Sequence, residues 1–455
     1  VTPSSTRLGS RFLALFAANP ARTVMTAFAG VILVGTVLLM TPWANQPGQH
    51  TSWVVALFTA TSSTCVTGLV VVDTGTHWTV FGHAVILGLI QAGGFGVMSL
   101  ATMLVLLIGR KAGVRASDLA DMERRHIDGF RLGSVLWAIF RLSLTFEVIV
   151  AALLAARFWL AYDMSWRSAL YWGVFHGVAS FNHAGISLHA ENLVTFQNDP
   201  FITGPLMVAV MISSLGFPVL WELRRHLWHI GKWSIHALVT VWMSVILWIA
   251  GFVTFVAFEW RNLATLGDLP VWSRLFNGLF MSVSTRSSGF NTIDMGSLHP
   301  ETLLSFSVLQ FIGGGSAGTA GGIKVGTFAL LAFVIWAELR GEPTVHVFHR
   351  RLVPQVQRQA LSVALLAVAA VFIGTAALTM LAHRPLEVLL FEVTSAFGTV
   401  GLSANLTPTL PPGAQLVLTG LMFFGRLGPL VLGAALALRA RPRRYELPEE
   451  RVLIG

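Results

Sequence analysis

Four glycines stand about a quarter of the chain apart, and each closes the same kind of string. A phenylalanine opens the string, a Ser- or Thr-rich turn or two follows, and a short stretch ends in Gly followed by Leu, Ile or Phe. The strings run from Phe58 to Gly68-Leu69, Phe175 to Gly185-Ile186, Phe280 to Gly289-Phe290 and Phe391 to Gly401-Leu402, the third one residue shorter. Small or polar residues dominate the positions just before the glycines: Val66 and Thr67 after Cys65; Asn182, His183 and Ala184; Arg286, Ser287 and Ser288; Gly398, Thr399 and Val400. A cation leaving water must regain oxygen ligands, and rings of backbone carbonyls supply them in cation filters. Turning successive carbonyls onto one axis takes unusual backbone angles, which glycine tolerates. The sequence therefore predicts that the carbonyls of these residues and of the four glycines line a filter. One Gly-Leu pair would carry little weight; four at near-equal spacing carry the argument.

The elements that must position these strings are readable on either side of them. Long apolar runs flank each one, at about 23–41 and 79–109, 134–161 and 201–223, 235–259 and 302–338, and 358–382 and 414–438. Each string is about ten residues long, too short to span a bilayer, and reads as a re-entrant helix that stops at its glycine. Such backbone is tolerated at membrane depth only beside protein or a water-filled cavity. Four of them imply one shared pore. The predicted fold is all-α: four tandem helix–pore-helix–helix units with pseudo-fourfold symmetry, bounded as 1–133, 134–234, 235–356 and 357–455. If the pore helices run inward, their carbonyl ends face the cavity and their dipoles favour a cation there.

Composition agrees with a membrane chain. Of 455 residues, 54% are hydrophobic and 11% charged, against about 25% charged in soluble domains. Runs such as 23–40 carry no charge and are long enough to cross a bilayer. The first is not read as a signal peptide, because no small-residue cleavage site precedes Thr41-Pro42-Trp43. A lone cysteine, Cys65, excludes a disulfide framework within the chain or a multi-cysteine metal site. The formal charge of +9 is read as basic residues flanking spans, not as a nucleic-acid surface. Most of the Lys and Arg fall in 1–22, 110–133, 224–234, 339–358 and 439–455, and the positive-inside rule then puts both termini in the cytoplasm of a multi-pass protein. Arg157, Arg167, Arg261, Arg274 and Arg384 fall outside.

A second feature interrupts the last span of the third unit. Gln310 is followed by Phe-Ile and then by Gly313, Gly314, Gly315, Ser316, Ala317, Gly318, Thr319, Ala320, Gly321, Gly322, Ile323 and Lys324. Each glycine destabilises a helix by about 1 kcal/mol relative to alanine, so 310–324 is expected to be broken backbone lining a cavity. A phosphate-binding loop needs Lys directly after Gly and then Ser or Thr; Ile323 and Val325 break that pattern. A membrane serine hydrolase would use Ser316 with His176 or His183 as base, but no strand–turn–helix elbow surrounds Ser316. Arg426, mid-span in Phe423-Phe424-Gly425-Arg426-Leu427, either faces the cavity or bonds carbonyls, since a charge at the centre of a span is disfavoured by about 2.5–3.5 kcal/mol on insertion scales. Lys324 pairs with carbonyls or a carboxylate, and Arg286 is read as fixing its pore helix. Asp73 and Asp294, each five residues past a filter glycine, either attract cations to the mouth or cap helices. His176, His183 and His189 do not have a usual metal spacing. Trp43, Trp53, Trp78, Trp166, Trp172, Trp260 and Trp272 read as interfacial anchors, and 110–133 as a solvated helix, hairpin or docking surface.

The strings SSTCVTGL, SFNHAGI, STRSSGF and FGTVGL, with FFGRLGPL near the end, resemble the Trk/Ktr/HKT superfamily of K⁺ transporters over essentially the whole chain. The resemblance implies channel-like K⁺ uptake without catalysis and K⁺ held at the filter carbonyls. It also implies a gate at Gly313–Gly322 and Arg426 opposing a resident cation below the filter. In plant relatives a serine at the first glycine goes with Na⁺; Gly68 favours K⁺. His183 within the second string and Ile186 after its glycine depart from the pattern. The short stretch before the first span and the terminal PEERVLIG resemble the Ktr type. That type implies a homodimer joined at the C-terminus in a bacterial cytoplasmic membrane, a cytosolic RCK-type ring binding ATP or ADP through its own Rossmann-type domains, and Na⁺ stimulation with no readable Na⁺ site. The alternatives are Na⁺ conduction or cation symport on the same fold, and the Ser316 hydrolase.

Overall fold

Apolar runs in a low-dielectric surrounding satisfy their backbone only by bonding within themselves, and the chain does so in nearly every element. The computed structural model describes residues 20–111, 132–348 and 350–438. The expected cytoplasmic segment beyond Lys111 and the C-terminal string lie outside the described residues. The first unit holds α1 (Pro20–Leu39), the pore helix α2 (Trp53–Thr64) and α3 (Val80–Lys111). The second holds α4 (Leu132–Ala161), the pore helix α5 (Trp166–Asn182), α6 (Pro200–Ser214) and α7 (Phe217–His226). The third holds α8 (Ile235–Glu259), the pore helix α9 (Val271–Thr285), α10 (Pro300–Phe311) and α11 (Val325–Leu339). The fourth holds α12 (Pro354–Ala382), the pore helix α13 (Leu386–Gly398) and α14 (Pro412–Leu438). A two-residue ribbon, His346–Val347 against Arg350–Arg351, joins the third unit to the fourth.

The pore helices are 12, 17, 15 and 13 residues long, longer than the strings alone, because each starts well before its phenylalanine. Start signals explain the extra turns. Ser52 and Ser165 accept the N–H of Val55 and of Ser168, as N-cap serines do. Pro270 and Pro385 precede the other two, with extended backbone that cannot continue a helix backwards.

Each pore helix packs against the long helices of its own unit, and the units meet in chain order: α3 on α5, α6 on α9, α10 on α13, and α14 back on α2. This is the predicted four-unit ring. Its outer face is apolar, with Phe372 74% and Met380 78% exposed, a surface that water would not support.

Among the described residues, four helices are long and apolar enough to cross a membrane: Val80–Ser99, Gly133–Ala161, Ile235–Glu259 and Pro354–Ala382. The span expected as one run at 201–223 is two helices, α6 and α7, bent by 98°. The bend sits at Gly216, whose φ is +88°, followed by Phe217 and Pro218 in the first turn of α7. The break in the third unit falls where it is expected, between Phe311 and Val325.

One aromatic anchor is reassigned. Trp43 is exposed just past α1, and Trp53, Trp166 and Trp272 are exposed at the starts of pore helices, but Trp78 is fully buried in the main core. Its backbone pairs with Asn45 and its carbonyl accepts from Gln46, which turns the indole inward.

Candidate cation pathway

The four glycines form a closed ring. A Cβ placed on Gly68 would run into the carbonyl of Ala184 and the Cα of Gly185. One on Gly185 would meet the Ser288 carbonyl and Gly289, and one on Gly289 the Val400 carbonyl at 2.6 Å and Gly401. One on Gly401 would meet the Thr67 carbonyl and Gly68. Each glycine therefore lies against the backbone of the next unit's string, and the sequence of contacts returns to its start. All four have positive φ, at 100°, 62°, 72° and 97°, angles at which a side chain is strained. Both steric facts require glycine at each position.

The helix ends deliver the strings to this ring. Val66, His183 and Thr399, each two residues before a glycine, are left-handed, with φ of 54°, 67° and 48°. The N–H of Thr67, Ala184 and Val400 bonds back to the carbonyls of Ser62, Ala179 and Ser395 at 2.7, 2.7 and 2.8 Å, the closure of a Schellman end. The third string, one residue shorter, lacks the left-handed step and closes one residue tighter, Ser288 N–H to Ser284 at 3.0 Å. The carbonyl ends of all four pore helices thus converge on the ring, which concentrates negative potential there.

Side chains then brace the strings. Ser62 Oγ accepts from Gly68 N–H at 3.1 Å and donates to the Leu69 carbonyl at 2.7 Å. Ser395 accepts from Gly401 N–H at 3.1 Å, and Ser284 donates to the Phe290 carbonyl. The second string has Ala179 at this place. Its support comes from elsewhere: His183 Nδ1 lies 2.6 Å from Ser287 Oγ and 3.0 Å from the Ser287 carbonyl, and Nε2 lies 2.6 Å from Ser213 Oγ. Asn192 donates to the carbonyls of Gly185 and Gly289.

On one side of the ring opens a cavity of about 520 Å³ lined by Gly68, Gly185, Gly401, Asp73, Asp294 and Asn192, among others. Asp73 and Asp294 cap the turns that follow their glycines, one of the two readings offered for them. They face this cavity, and each accepts local N–H and hydroxyl donors, Gly75 and Thr76 for Asp73, Gly296 and Ser297 for Asp294. Partial burial works against the charged form of Asp294, but hydrogen bonds from Ser297, Asn405 and Gly296 outweigh it and hold the carboxyl below the usual carboxylate range.

On the other side lies the glycine-rich loop. Gly321 packs against Thr399 and the Gly398 carbonyl, and Gly398 in turn against the Gln310 carbonyl. The loop closes on itself through Gly313 N–H to Ile323 at 2.8 Å and Val325 N–H to Gly314 at 3.0 Å. It also docks on the break between α6 and α7: Gly315 N–H bonds the Ser214 carbonyl at 2.7 Å, and Gly216 has no side chain where the Ser316 carbonyl approaches. Three cations hold its carbonyls. Arg286 Nη2 donates to Gly313 at 2.8 Å and stacks over Trp248. Lys324 donates to Ala320, and Arg426 to Thr319. Gly318 and Gly322, with Ser316 and Thr319, complete the expected set, all within one loop between Ile312 and Lys324.

The hydrolase reading has no geometry behind it. His176 bonds the Trp172 carbonyl and Ser187, and His183 bonds Ser287 and Ser213; neither bonds Ser316 among the described residues. No group of three His, Cys, Asp or Glu able to hold a metal occurs among them either.

Sequence reasoning passed over two carboxylates and one amide. Glu392, fully buried in α13, accepts from Ser403 Oγ at 2.5 Å, Ala404 N–H and Thr407 Oγ1, tying the segment after Gly401 to its pore helix. His176 and Ser187 make the corresponding tie in the second unit. Glu259 holds Thr265, Asn262, Thr302 and the His299 N–H together at the top of α8 and α10. An acidic residue inside an apolar helix was the available signal for both; Asn192 had none.

Residues 13–439 match the family described as TrkH, cation transport protein. The chain is 35% identical over 439 residues to the Ktr system potassium uptake protein B of Bacillus subtilis, covering 96% of this chain and 97% of that one. It is 35% identical to the protein of that name in Vibrio alginolyticus, covering 95% and 94%. Against the potassium/sodium uptake protein NtpJ of Enterococcus hirae identity is 30%, covering 96% and 97%. The crystal structure of the potassium transporter TrkH from Vibrio parahaemolyticus has the same fold, with a TM-score of 0.70 at 19% identity over 90% of this chain and 84% of that one. A ring of four helix-ended glycine strings in an apolar helical shell, with a family match over nearly the whole length, leaves one conclusion: the chain belongs to the TrkH family of cation transport proteins, multi-pass membrane transporters and not enzymes.

Proposed function

We propose that the chain is the pore-forming subunit of a K⁺ uptake system in the bacterial cytoplasmic membrane. Each of its four units, bounded as read from the sequence, contributes one filter segment. The observation that carries this is the closed ring of Gly68, Gly185, Gly289 and Gly401 at the carbonyl ends of four pore helices. In this reading the carbonyls of Val66, Thr67, Asn182, His183, Ala184, Ser287, Ser288, Thr399 and Val400, with those of the glycines, replace the hydration shell of K⁺. The membrane potential supplies about 2.3 kcal/mol per charge for each 100 mV. The loop from Gly313 to Lys324 is the gate: it lies across the helix-carbonyl side of the ring, closed by its own backbone and tethered by Arg286 and Arg426. Arg426 also limits cation occupancy below the filter.

The regulatory part of the proposal leans on the relatives. Those named for a Ktr system support a separate regulatory subunit, here an RCK-type ring that binds ATP or ADP on the cytosolic side, a homodimer of this chain, and stimulation by Na⁺. The basic segments support cytoplasmic termini. The test is K⁺ uptake in cells lacking their own K⁺ transporters, with the regulatory subunit co-expressed, in K⁺-poor medium with and without Na⁺. Wild type is expected to restore growth and Gly68→Ser to lose K⁺ uptake or admit Na⁺. Failure of wild type to restore growth, with this chain in the membrane and the regulatory subunit present, would sink the K⁺ assignment. The relative named for potassium and sodium favours a second reading, Na⁺ conduction through the same ring, which ion-competition flux separates.

A further inference from the structure

Behind the second filter segment lies a buried carboxylate that none of the preceding roles uses. Glu147 sits mid-way along α4 and is 3% exposed. It reaches the pore helix because Gly173 and Gly177 have no side chains where α5 lies on α4: a Cβ on Gly177 would stand 3.0 Å from the Glu147 carbonyl and the Ala151 nitrogen. Small residues four apart bring helices this close in membranes. The partner of Glu147 is Asn182, the last helical residue of α5 and the first of the second filter string. Asn182 Nδ2 lies 2.9 Å from Glu147 Oε1, 3.1 Å from Gln91 Oε1 on α3 and 3.0 Å from the Val178 carbonyl. Gly94 on α3 leaves the space for the carboxamide.

No cation balances this carboxylate. Among the described residues the one ion pair is Arg157–Asp199. On α3, His83 is bound to Tyr171 and Thr74, and Arg110 and Lys111 lie about five turns beyond Gln91. On α5, His176 is bound to Trp172 and Ser187, and Arg167 lies near the opposite end, over Trp166. On α6 there is no ionisable residue. On α4 itself, Arg141 is exposed and Arg157 is paired with Asp199. An ionised carboxylate here would be an uncompensated charge inside a membrane helix bundle. The side chains that hydrogen-bond the carboxyl, Asn182 and Gln91, are neutral amides, which leave a negative charge uncompensated and bond a protonated acid as readily. Ser143, one turn before Glu147 on the same helix, is also buried with its hydroxyl unpartnered among the described residues.

We propose that Glu147 is an intramembrane proton-binding site: it carries its proton in the transporting form and, through Asn182, positions the second filter segment. Glu147 is a positioning residue, not an ion ligand. The left-handed turn at His183 follows directly on Asn182, so the anchor fixes where that turn begins and, two residues on, where Gly185 enters the ring. The transport arm of the test rests on the uptake reading above; the spectroscopic arm does not.

The experiment compares wild type, Glu147→Gln and Glu147→Ala as full chains in lipid. Glutamine has the shape and neutrality of the protonated acid. Glu147→Gln is expected in the membrane at wild-type amount and with uptake within about two-fold of wild type, whereas Glu147→Ala removes the α4 anchor of Asn182 and loses roughly ten-fold. Infrared spectra at neutral pH are expected to show a carboxylic-acid carbonyl band in wild type that is weaker in Glu147→Gln. Identical spectra in that region would overturn the proton. So would a Glu147→Gln chain that fails to accumulate or transport, because the negative charge, or a metal cation bound to it, would then be the requirement. Uptake failing in wild type itself, with the band present and diminished in the glutamine variant, would instead indict the K⁺ reading and leave the proton site standing.

Discussion

The first and second filter segments reach the same ring by different means. The first is braced from within: Ser62 on its own pore helix holds both the N–H of Gly68 and the carbonyl of Leu69. The second has Ala179 at that place and is held by its neighbours. His183 spans to Ser287 of the third unit and Ser213 of α6, Asn192 bridges the carbonyls of Gly185 and Gly289, and Asn182 leans on α3 and α4. Pseudo-symmetry therefore holds for the backbone and not for its supports. A segment braced by its own helix behaves as a local unit; one braced across units couples its geometry to theirs. His183 bonds Ser213, next to Ser214 on which the glycine-rich loop docks, so the second segment reaches that loop through α6, whereas the third and fourth touch it directly through Arg286 and Thr399.

The largest effect tests the symmetric part. Alanine at any of Gly68, Gly185, Gly289 or Gly401 is expected to lower K⁺ uptake more than about ten-fold, since each must add strain of roughly 1–2 kcal/mol at positive φ to a backbone collision. One tolerant glycine among the four would break the ring as a common element. Next come the braces. Ser62→Ala leaves the buried Gly68 N–H without its acceptor and should destabilise the folded protein in detergent by about 1–3 kcal/mol. His183→Ala should instead change the K⁺/Na⁺ preference more than the melting temperature, because it releases contacts between units two and three. Equal behaviour of the two variants would erase the distinction between self-braced and neighbour-braced segments.

A smaller effect sharpens it. Ala179→Ser offers the second string the missing brace and is expected to be neutral or to stabilise by up to about 1 kcal/mol in thermal unfolding; marked destabilisation would show that the second segment has no room for local support. The smallest effect concerns the mouth. Asp294→Asn is expected to raise the K⁺ concentration for half-maximal uptake by about two-fold at low ionic strength, with the difference shrinking in salt. Because the Asp294 carboxyl lies below its ordinary value when folded, its contribution to stability and to the mouth potential is present above the ordinary carboxylate range. That contribution is lost only as pH falls through the lowered value. Uptake measured while pH is lowered should therefore keep the wild-type advantage over Asp294→Asn to a pH at which a free aspartate is already half protonated.

Much of the pathway is legible in the amino-acid sequence. The four strings stand out because glycine takes the required torsions without strain, so the backbone's demand shows as a residue type at each place. The loop of 310–324 stands out because six glycines cannot stay helical. The bend at Gly216 escapes a reading by hydropathy although Gly216, Phe217 and Pro218 carry its signal; an unbroken apolar run outweighs two local breakers. Trp78 is misplaced because a tryptophan near a span end reads the same whether its indole faces lipid or core. Glu392 and Glu147 stand out only as acids in apolar helices, and their partners, Ser403 and Asn182, lie in other elements.

What the sequence determined by itself is local: where the chain is apolar enough to enter lipid, where helices start and stop, and at which four places the backbone can turn left-handed without strain. These follow from torsional preferences and from the free energy of transferring short segments, both of which depend on neighbours along the chain. The tertiary structure decided which string meets which, that the contacts run from Gly68 through Gly185 and Gly289 to Gly401 and close, and that the second segment is held by residues of other helices while the first holds itself. Those outcomes depend on side chains about a hundred residues apart fitting one another in space, and no pattern along the sequence records that fit.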